Sequence, residues 1–388
     1  MMDSADVVVI GGGCTGTSTA FQLARRGAGR VLLLEQDQVG SGPTGRSSGI
    51  VRMHYSLEPL IRLAQRSLEI FQHFADLVGG TADFRTTGFL LLVGDADRAH
   101  LEANVRLQSA LGVRTFLLGP HELAELEPAM RLEDVAAAAF EPDSGYADGH
   151  ATSTAFAAAA RRHGATVSTG TAARRIIVEH GRVQGVQTDS GVISTHRLLV
   201  AAGPWTPRLM DPLGVLLPIR TVRVQVVTVH VPAVAITRVC GDLLQGFYVR
   251  PDVGRQVLVG SLQEADEQEV SVDRYDPGLD FAFAERMGRR LSWRYPAATE
   301  GEVRGGFASL YDVTPDWQPV LGPVDGVEGL FVAAGFSGHG FKLSPALGEV
   351  MAQLLQGERP AIDLGVFRPS RFAEGALVRS PYEYGILG

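Results

Sequence analysis

The sequence predicts an α/β chain of two interleaved parts, and three observations carry that expectation. The first is length: 388 residues are enough for two folded units, or for one large unit with an inserted part. The second is the start of the chain, where an apolar run "DVVVI", a glycine-rich turn, a helical pattern and a second apolar run "RVLLLEQ" follow one another. The third is a pair of similar glycine-ended apolar runs far downstream, "HRLLVAAGPW" and "GLFVAAG". Pieces of one parallel sheet are thus spread over the whole chain, with other material between them.

Composition narrows the class. At 45% hydrophobic and 20% charged, the chain has the profile of a globular protein with ample core. A formal charge of -8 argues against nucleic acid, which calls for a basic stripe. No apolar run has the length of a membrane span. "VVVIGGG" follows two aspartates and lacks a charged leader, so it reads as a strand of a cytoplasmic protein rather than a signal peptide. Two cysteines, Cys14 and Cys240, are too few and too far apart for a disulfide framework or a zinc site, and no metal constellation is visible.

The first element is the short strand of "DVVVI". In the turn after it, Gly11, Gly13 and Gly16 fit G-x-G-x-x-G. The first glycine makes the turn, the second lets the backbone approach a pyrophosphate, and the third brings helix and strand together. The helix that follows carries Ala20, Leu23 and Ala24 on one face, and its N-terminus offers free N–H groups to phosphate. The second strand ends at Glu35, about 20 residues beyond the motif, where an acid accepts hydrogen bonds from ribose hydroxyls. Strand, turn, helix and terminal acid together predict a dinucleotide site. The next element is not another βα unit but the polar, glycine-rich "VGSGPTGRSSGIVRMHYS". Further on, "VSTGTAARRIIVEHGRVQGVQTDSGVIS" reads as a three-strand meander with turns at "HGR" and "DSG". "PIRTVRVQVVTVHV" alternates as a long strand with one covered face. This wide spacing suits a long cofactor threaded through the protein, FAD rather than NAD.

One residue stands out by composition. Of 35 lysines and arginines, only Lys342 is lysine. It lies in "AAGFSGHGFKLSPALGEV", where a strand ends and a helix starts near Phe341. Helix N-termini carry partial positive charge. A compact ammonium adds a point charge beside a flat ring where a guanidinium fork is too large. Gly338 and Gly340 keep the backbone close to such a ring.

Across nearly its whole length the chain resembles the D-amino-acid oxidase, glycine oxidase and sarcosine oxidase superfamily of FAD enzymes. Within it, the chain is most similar to monomeric sarcosine oxidase and the sarcosine oxidase β subunit. The resemblance rests on "VVVIGGGCTGTSTAFQLARRG", "TGRSSGIVRMHYS", "SGYADGHATSTAFAAAARRHGA", "LLVAAGPW", "YDVTPDWQPVLG", "AAGFSGHGFKLSPALGEV" and "FRPSRF". It implies a mixed α/β and α+β fold: a Rossmann-type FAD-binding domain (residues 1–81, 141–210 and 326–388) interleaved with a mixed-sheet substrate domain (82–140 and 211–325). The implied reaction oxidises the C–N bond of a small amino acid or N-alkyl amino acid by hydride transfer to flavin N5, and water then hydrolyses the imine.

The resemblance also implies roles. Lys342 meets the substrate carboxylate, Arg52 packs over the flavin or meets the carboxylate, Tyr248 and Tyr311 line the pocket, and His339 packs near the flavin. The cofactor set is Gly11, Gly13, Cys14, Thr15, Gly16, Glu35, Gln36, Arg46, Ser47, Ser48, Ala172, Ala202, Gly203, Trp205, Ser309, Gly338, Gly340 and Phe341, with Lys342 serving both sets. Two departures from the family pattern matter. Ser309 stands where monomeric sarcosine oxidase has the cysteine that attaches its flavin, so non-covalent FAD is expected. Leu258 stands where it has an oxygen-activating lysine, which points to an electron acceptor other than oxygen. Two alternatives remain open: a 2-hydroxy-acid dehydrogenase using His54 or His339 as base, and an electron-relay subunit with a partner subunit.

Overall fold

The computed structural model describes residues 3–380 and Tyr382. The expected first strand is Val7–Ile10, the glycine-turn helix is Cys14–Arg25 and the second strand is Val31–Leu34. All four residues of the first strand are buried, because both faces of its sheet are covered. Val7 and Val9 face a helical layer containing Phe21, Phe156 and Leu347. Val8 and Ile10 face the meander residues Ile176, Val183 and Val186. An all-apolar run is what a parallel sheet with two covered faces demands.

That sheet has six strands, in the order Val320–Pro323, Leu330–Ala334, Leu198–Val200, Val7–Ile10, Val31–Leu34, Thr166–Ser168. Neighbours run parallel except Val320–Pro323, which pairs antiparallel with Leu330–Ala334. This edge strand lies within the stretch that the sequence reading gives to the substrate part, since that reading ends at 325. Its register with Leu330–Ala334 ties it to the cofactor sheet instead. The predicted meander forms a separate three-stranded sheet of Ala173–Glu179, Arg182–Thr188 and Gly191–Ser194.

Close packing explains two glycines, Gly16 against the turn at Gly11 and Gly348 against the neighbouring helix. A Cβ at Gly16 would stand 2.0 Å from the Gly11 carbonyl oxygen, and one at Gly348 would stand 2.1 Å from Ser18 Oγ. The helix Gly340–Leu355 contains Pro345, whose ring nitrogen cannot bond to the carbonyl four residues earlier. Ser344 Oγ supplies the missing donor to Phe341 O at 2.8 Å.

The second large sheet has nine strands and is mixed. Arg220–His230 pairs antiparallel with Glu302–Val313 on one side and Gln256–Ser261 on the other. Phe89–Val93 joins parallel to Val239–Asp242 and antiparallel to Ala137–Glu141. The expectation of one covered face on the long strand needs correction, because both faces are covered. Val227 and Val229 enter the core under the helix Phe281–Arg294, while Val224 and Val226 border an internal cavity. Alternation marked the strand, but the cavity side is apolar too.

Candidate active site

The cavity lies between the two sheets and has a volume of about 490 Å³. That is the size of a site for a sizeable small molecule. Ile10, Leu34, Ala201 and Ala333 border it from the six-stranded sheet, and Val224, Val226, Ser309 and Tyr311 from the nine-stranded one. Its far end is set by Gln36, Ala172 and Glu35, its near end by Tyr248, Gly338, Gly340 and Phe341.

Most of the predicted cofactor residues meet there. Gly11, Gly13, Cys14, Thr15, Glu35, Gln36, Arg46, Ser47, Ser48, Ala172, Ala202, Gly203, Trp205, Ser309, Gly338, Gly340 and Phe341 all line the cavity, as do Tyr248 and Tyr311. Gly16, Arg52, His339 and Lys342 do not. Gly16 is one helical turn removed, where it serves packing.

The cavity suits FAD by its chemistry. The N-cap residue of the Cys14–Arg25 helix is Gly13, which has no side chain, and Gly13, Cys14 and Thr15 line the cavity, so the positive end of the helix dipole faces it. Gly11 has φ of +112°, and a Cβ there would lie 2.2 Å from Ala201 O, so only glycine makes this turn. Glu35, expected at a ribose, also has backbone partners: its Oε2 accepts from Gly12 N at 2.6 Å and its Oε1 from Asp37 N at 2.8 Å. It therefore also fixes the glycine turn. Arg46 donates to Ser41 O at 2.8 Å and holds the loop around the cavity. Thr44, which sequence reasoning missed, accepts from Cys14 N at 3.1 Å. The Cys14 thiol is pushed up to about 12 by burial, so it is no nucleophile toward a bound ring.

Beyond the near end sits a buried cationic cluster. Lys342 is 7% exposed, in the first turn of its helix. Burial drives its ammonium well below the ordinary lysine range, and the like charge of Arg52 adds to this. Among the described residues no carboxylate forms an ion pair with Lys342. Arg52 is also buried; its guanidinium lies 4.6 Å from the centre of the Tyr55 ring and donates to the His54 carbonyl. His339 is fully buried against Tyr55, with ring centres 5.7 Å apart. Burial, and then the charges of Lys342 and Arg52, push it well below the usual histidine range.

The turn carrying these residues is stitched to the neighbouring strand. Ser337, at φ +49°, donates from its backbone to Asp312 O at 3.0 Å, and Gly335 N donates to Asp312 Oδ2 at 2.7 Å. Burial raises the Asp312 carboxyl from 3.8 to about 6. A buried pair below it, Arg371 to Asp316 at 2.9 Å, fixes the loop after the strand and gives a physical reason for the motif "FRPSRF". Sequence reasoning missed Tyr55, although "VRMHY" places it three residues after Arg52.

Leu258 is in register with Arg250 and Thr228, on the sheet face that carries Tyr248, and does not reach the cavity lining. Arg250, beside it, stacks over Tyr146 at 4.2 Å.

This arrangement of glycine turn, acid, two sheets and intervening cavity is that of an FAD-dependent oxidoreductase. Residues 6–354 match the family described as "DAO: FAD dependent oxidoreductase", and the chain belongs to it. It is 30% identical over 383 residues to the 4-methylaminobutanoate oxidase (formaldehyde-forming) of Paenarthrobacter nicotinovorans, covering 94% of this chain and 45% of that protein. The chain thus spans about half of that relative's length. It is 25% identical to the sarcosine oxidase subunit beta of Rhodobacter capsulatus, over 98% of this chain and 92% of that one. The L-proline dehydrogenase of P. horikoshii superposes with a TM-score of 0.89 at 28% identity, covering 97% of this chain and 100% of the other. Both the mixed α/β fold and the FAD dependence expected from the sequence hold. No helix among the described residues is long and apolar enough to cross a membrane.

Proposed function

We propose that the protein oxidises the C–N bond of a small amino acid or N-alkyl amino acid, with Lys342 and Arg52 as the carboxylate clamp. One observation carries the reading: two cations, both buried, sit beside each other at the ring end of the cavity. Among the described residues no carboxylate forms an ion pair with Lys342, and an incoming substrate carboxylate supplies that partner. When bound, FAD accepts the hydride from the carbon bearing the amine.

The chain's own residues do the rest. Arg52, held by Tyr55 and the His54 carbonyl, presents a fixed fork to one carboxylate oxygen pair. Lys342 Nζ adds a point charge from the helix start. Together they lower the affinity of the substrate nitrogen for a proton, which favours the neutral amine that oxidation needs. Tyr248 and Tyr311 wall the cavity, and the burial of this end excludes water. Ser309 in the lining and the inert Cys14 thiol support a cofactor held without a covalent bond.

The hydroxy-acid reading loses support. It needs a histidine base, and burial pushes His54 down to about 3 and His339 well below its usual range. Burial disfavours the imidazolium at both positions.

Anaerobic mixing of the yellow holoprotein with a panel of amino acids, N-methyl amino acids and 2-hydroxy acids tests the reading. Bleaching of the flavin absorbance by amino compounds and not by hydroxy acids is expected. A dye should then reoxidise the protein faster than oxygen does, because Leu258 supplies no charge. Bleaching by hydroxy acids alone overturns the reading.

A further inference from the structure

Tyr382 lies beside Arg52, whose charge acts on its phenol, and its ring centre is 5.9 Å from that of His54. Tyr382 is 4% exposed. Its hydroxyl lies 2.9 Å from His54 Nε2 and accepts from Asn104 Nδ2 at 3.2 Å. The imidazole of His54 is neutral, and its tautomer sets which partner donates in the Tyr382–His54 bond. His54 comes two residues after Arg52, and Asn104 belongs to the helix Asp95–Ala110. Asn104 Nδ2 is further fixed by Ser56 Oγ at 3.0 Å. The Tyr382 ring joins the apolar cluster of Phe89, Leu91 and Tyr248, against which the Arg52 guanidinium also packs, 5.9 Å from the Phe89 ring centre.

Upstream of Tyr382 the chain is tied to the core. Val378 N donates to Asp316 Oδ2 at 3.2 Å, and Asp316 is the buried partner of Arg371. Val378 is thus tied to the loop below the cavity, and Tyr382 to His54 and the Asp95–Ala110 helix.

We infer that Tyr382 is a specificity-determining wall of the substrate chamber, closing the side of the Arg52–Lys342 clamp and restricting the protein to short carboxylates. The inference rests on the clamp reading above. It sets the substrate class as amino acids whose chain and nitrogen substituents are small. A longer substrate displaces the ring and breaks both of its hydrogen bonds.

The test is a titration of the holoprotein with straight-chain carboxylates from acetate to hexanoate, read as perturbation of the flavin visible spectrum. In the wild type, acetate binds and hexanoate binds at least tenfold more weakly. In Tyr382→Ala the length dependence flattens, and hexanoate tightens relative to acetate at least tenfold. If that variant fails to fold, Tyr382→Phe, which keeps the ring and loses both hydrogen bonds, should flatten the profile at least threefold. The same length profile in wild type and variant overturns the inference, and so does a wild type indifferent to length or spectrally silent in both forms. Lys342→Met separates the two claims. If it titrates like the wild type while the Tyr382 variant still changes the profile, the clamp reading fails and the wall stands.

Discussion

Replacing Lys342 by methionine should stabilise the fold while harming function. The lysine is buried, is acted on by the like charge of Arg52, and has no ion-pair partner among the described residues. Methionine has similar length and no charge. Exchanging a buried charged group for an apolar one of like volume gains about 1–4 kcal/mol. For a chain of this size that corresponds to ~1–5 °C in Tm, since the unfolding entropy is about 2 cal/mol/K per residue. The sign with pH follows from linkage. The folded-state affinity of Lys342 for a proton is depressed, so between that lowered value and the ordinary lysine value the unfolded chain binds more protons. Wild-type stability therefore rises with pH across that window, by at most about 1.4 kcal/mol per pH unit, and the variant lacks the rise. Thermal unfolding of both holoproteins at saturating FAD, near pH 7 and near pH 10, reads this out. The variant should be more stable near pH 7, by a margin that shrinks near pH 10. Adding acetate should raise the wild-type Tm and leave the variant unmoved. A destabilised variant, or equal protection of both by acetate, refutes the reasoning.

Three further outcomes follow from the same geometry. Asp312→Asn should flatten the pH dependence of stability between about pH 4 and pH 6 in urea unfolding, because the raised carboxyl contributes stability at low pH that is lost as pH climbs through about 6. A wild type with no such loss contradicts the assignment. Glu35→Gln turns an amide donor toward one of the two backbone N–H groups that the carboxylate now receives, at about 1–3 kcal/mol. FAD affinity, followed by flavin fluorescence, should fall about 5- to 100-fold; unchanged affinity removes Glu35 from the cofactor site. Gly348→Ala places a methyl 2.1 Å from Ser18 Oγ and should lower stability by about 1–3 kcal/mol, because helix must move from helix. An unchanged denaturation midpoint says that the helices are not in close contact.

Much of the cofactor half could be read from local pattern. Strand, glycine turn, helix and terminal acid are contiguous, so Gly11, Gly16 and Glu35 declare their roles within one stretch of chain. Lys342 announced itself by composition. What local pattern does not carry is pairing across distance. Nothing in "GFLLLV" says that it lies parallel to "VCGD", about 150 residues on, and joins two hairpin systems into one sheet. The edge strand Val320–Pro323 reads like its substrate-side neighbours until its partner is known. Tyr382 was invisible for the same reason: a tyrosine in a polar stretch gives no sign of His54 and Asn104 waiting for its hydroxyl. Arg371 is an arginine among many until Asp316 is seen beside it.

The carboxylate clamp is the central claim, and the most direct measurement compares a substrate with its carboxylate-free analogue. The rate of anaerobic flavin reduction is measured for the best amino acid and for the corresponding amine, in wild type, Lys342→Met and Lys342→Arg. A charge-assisted contact is worth about 1.5–3 kcal/mol, so the wild type should prefer the amino acid by an extra ~10- to 100-fold that Lys342→Met loses. The plain amine should react almost equally well with both, and Lys342→Arg should be impaired with the amino acid because the fork does not fit the slot. An unchanged preference in Lys342→Met, or full activity in Lys342→Arg, would contradict the account.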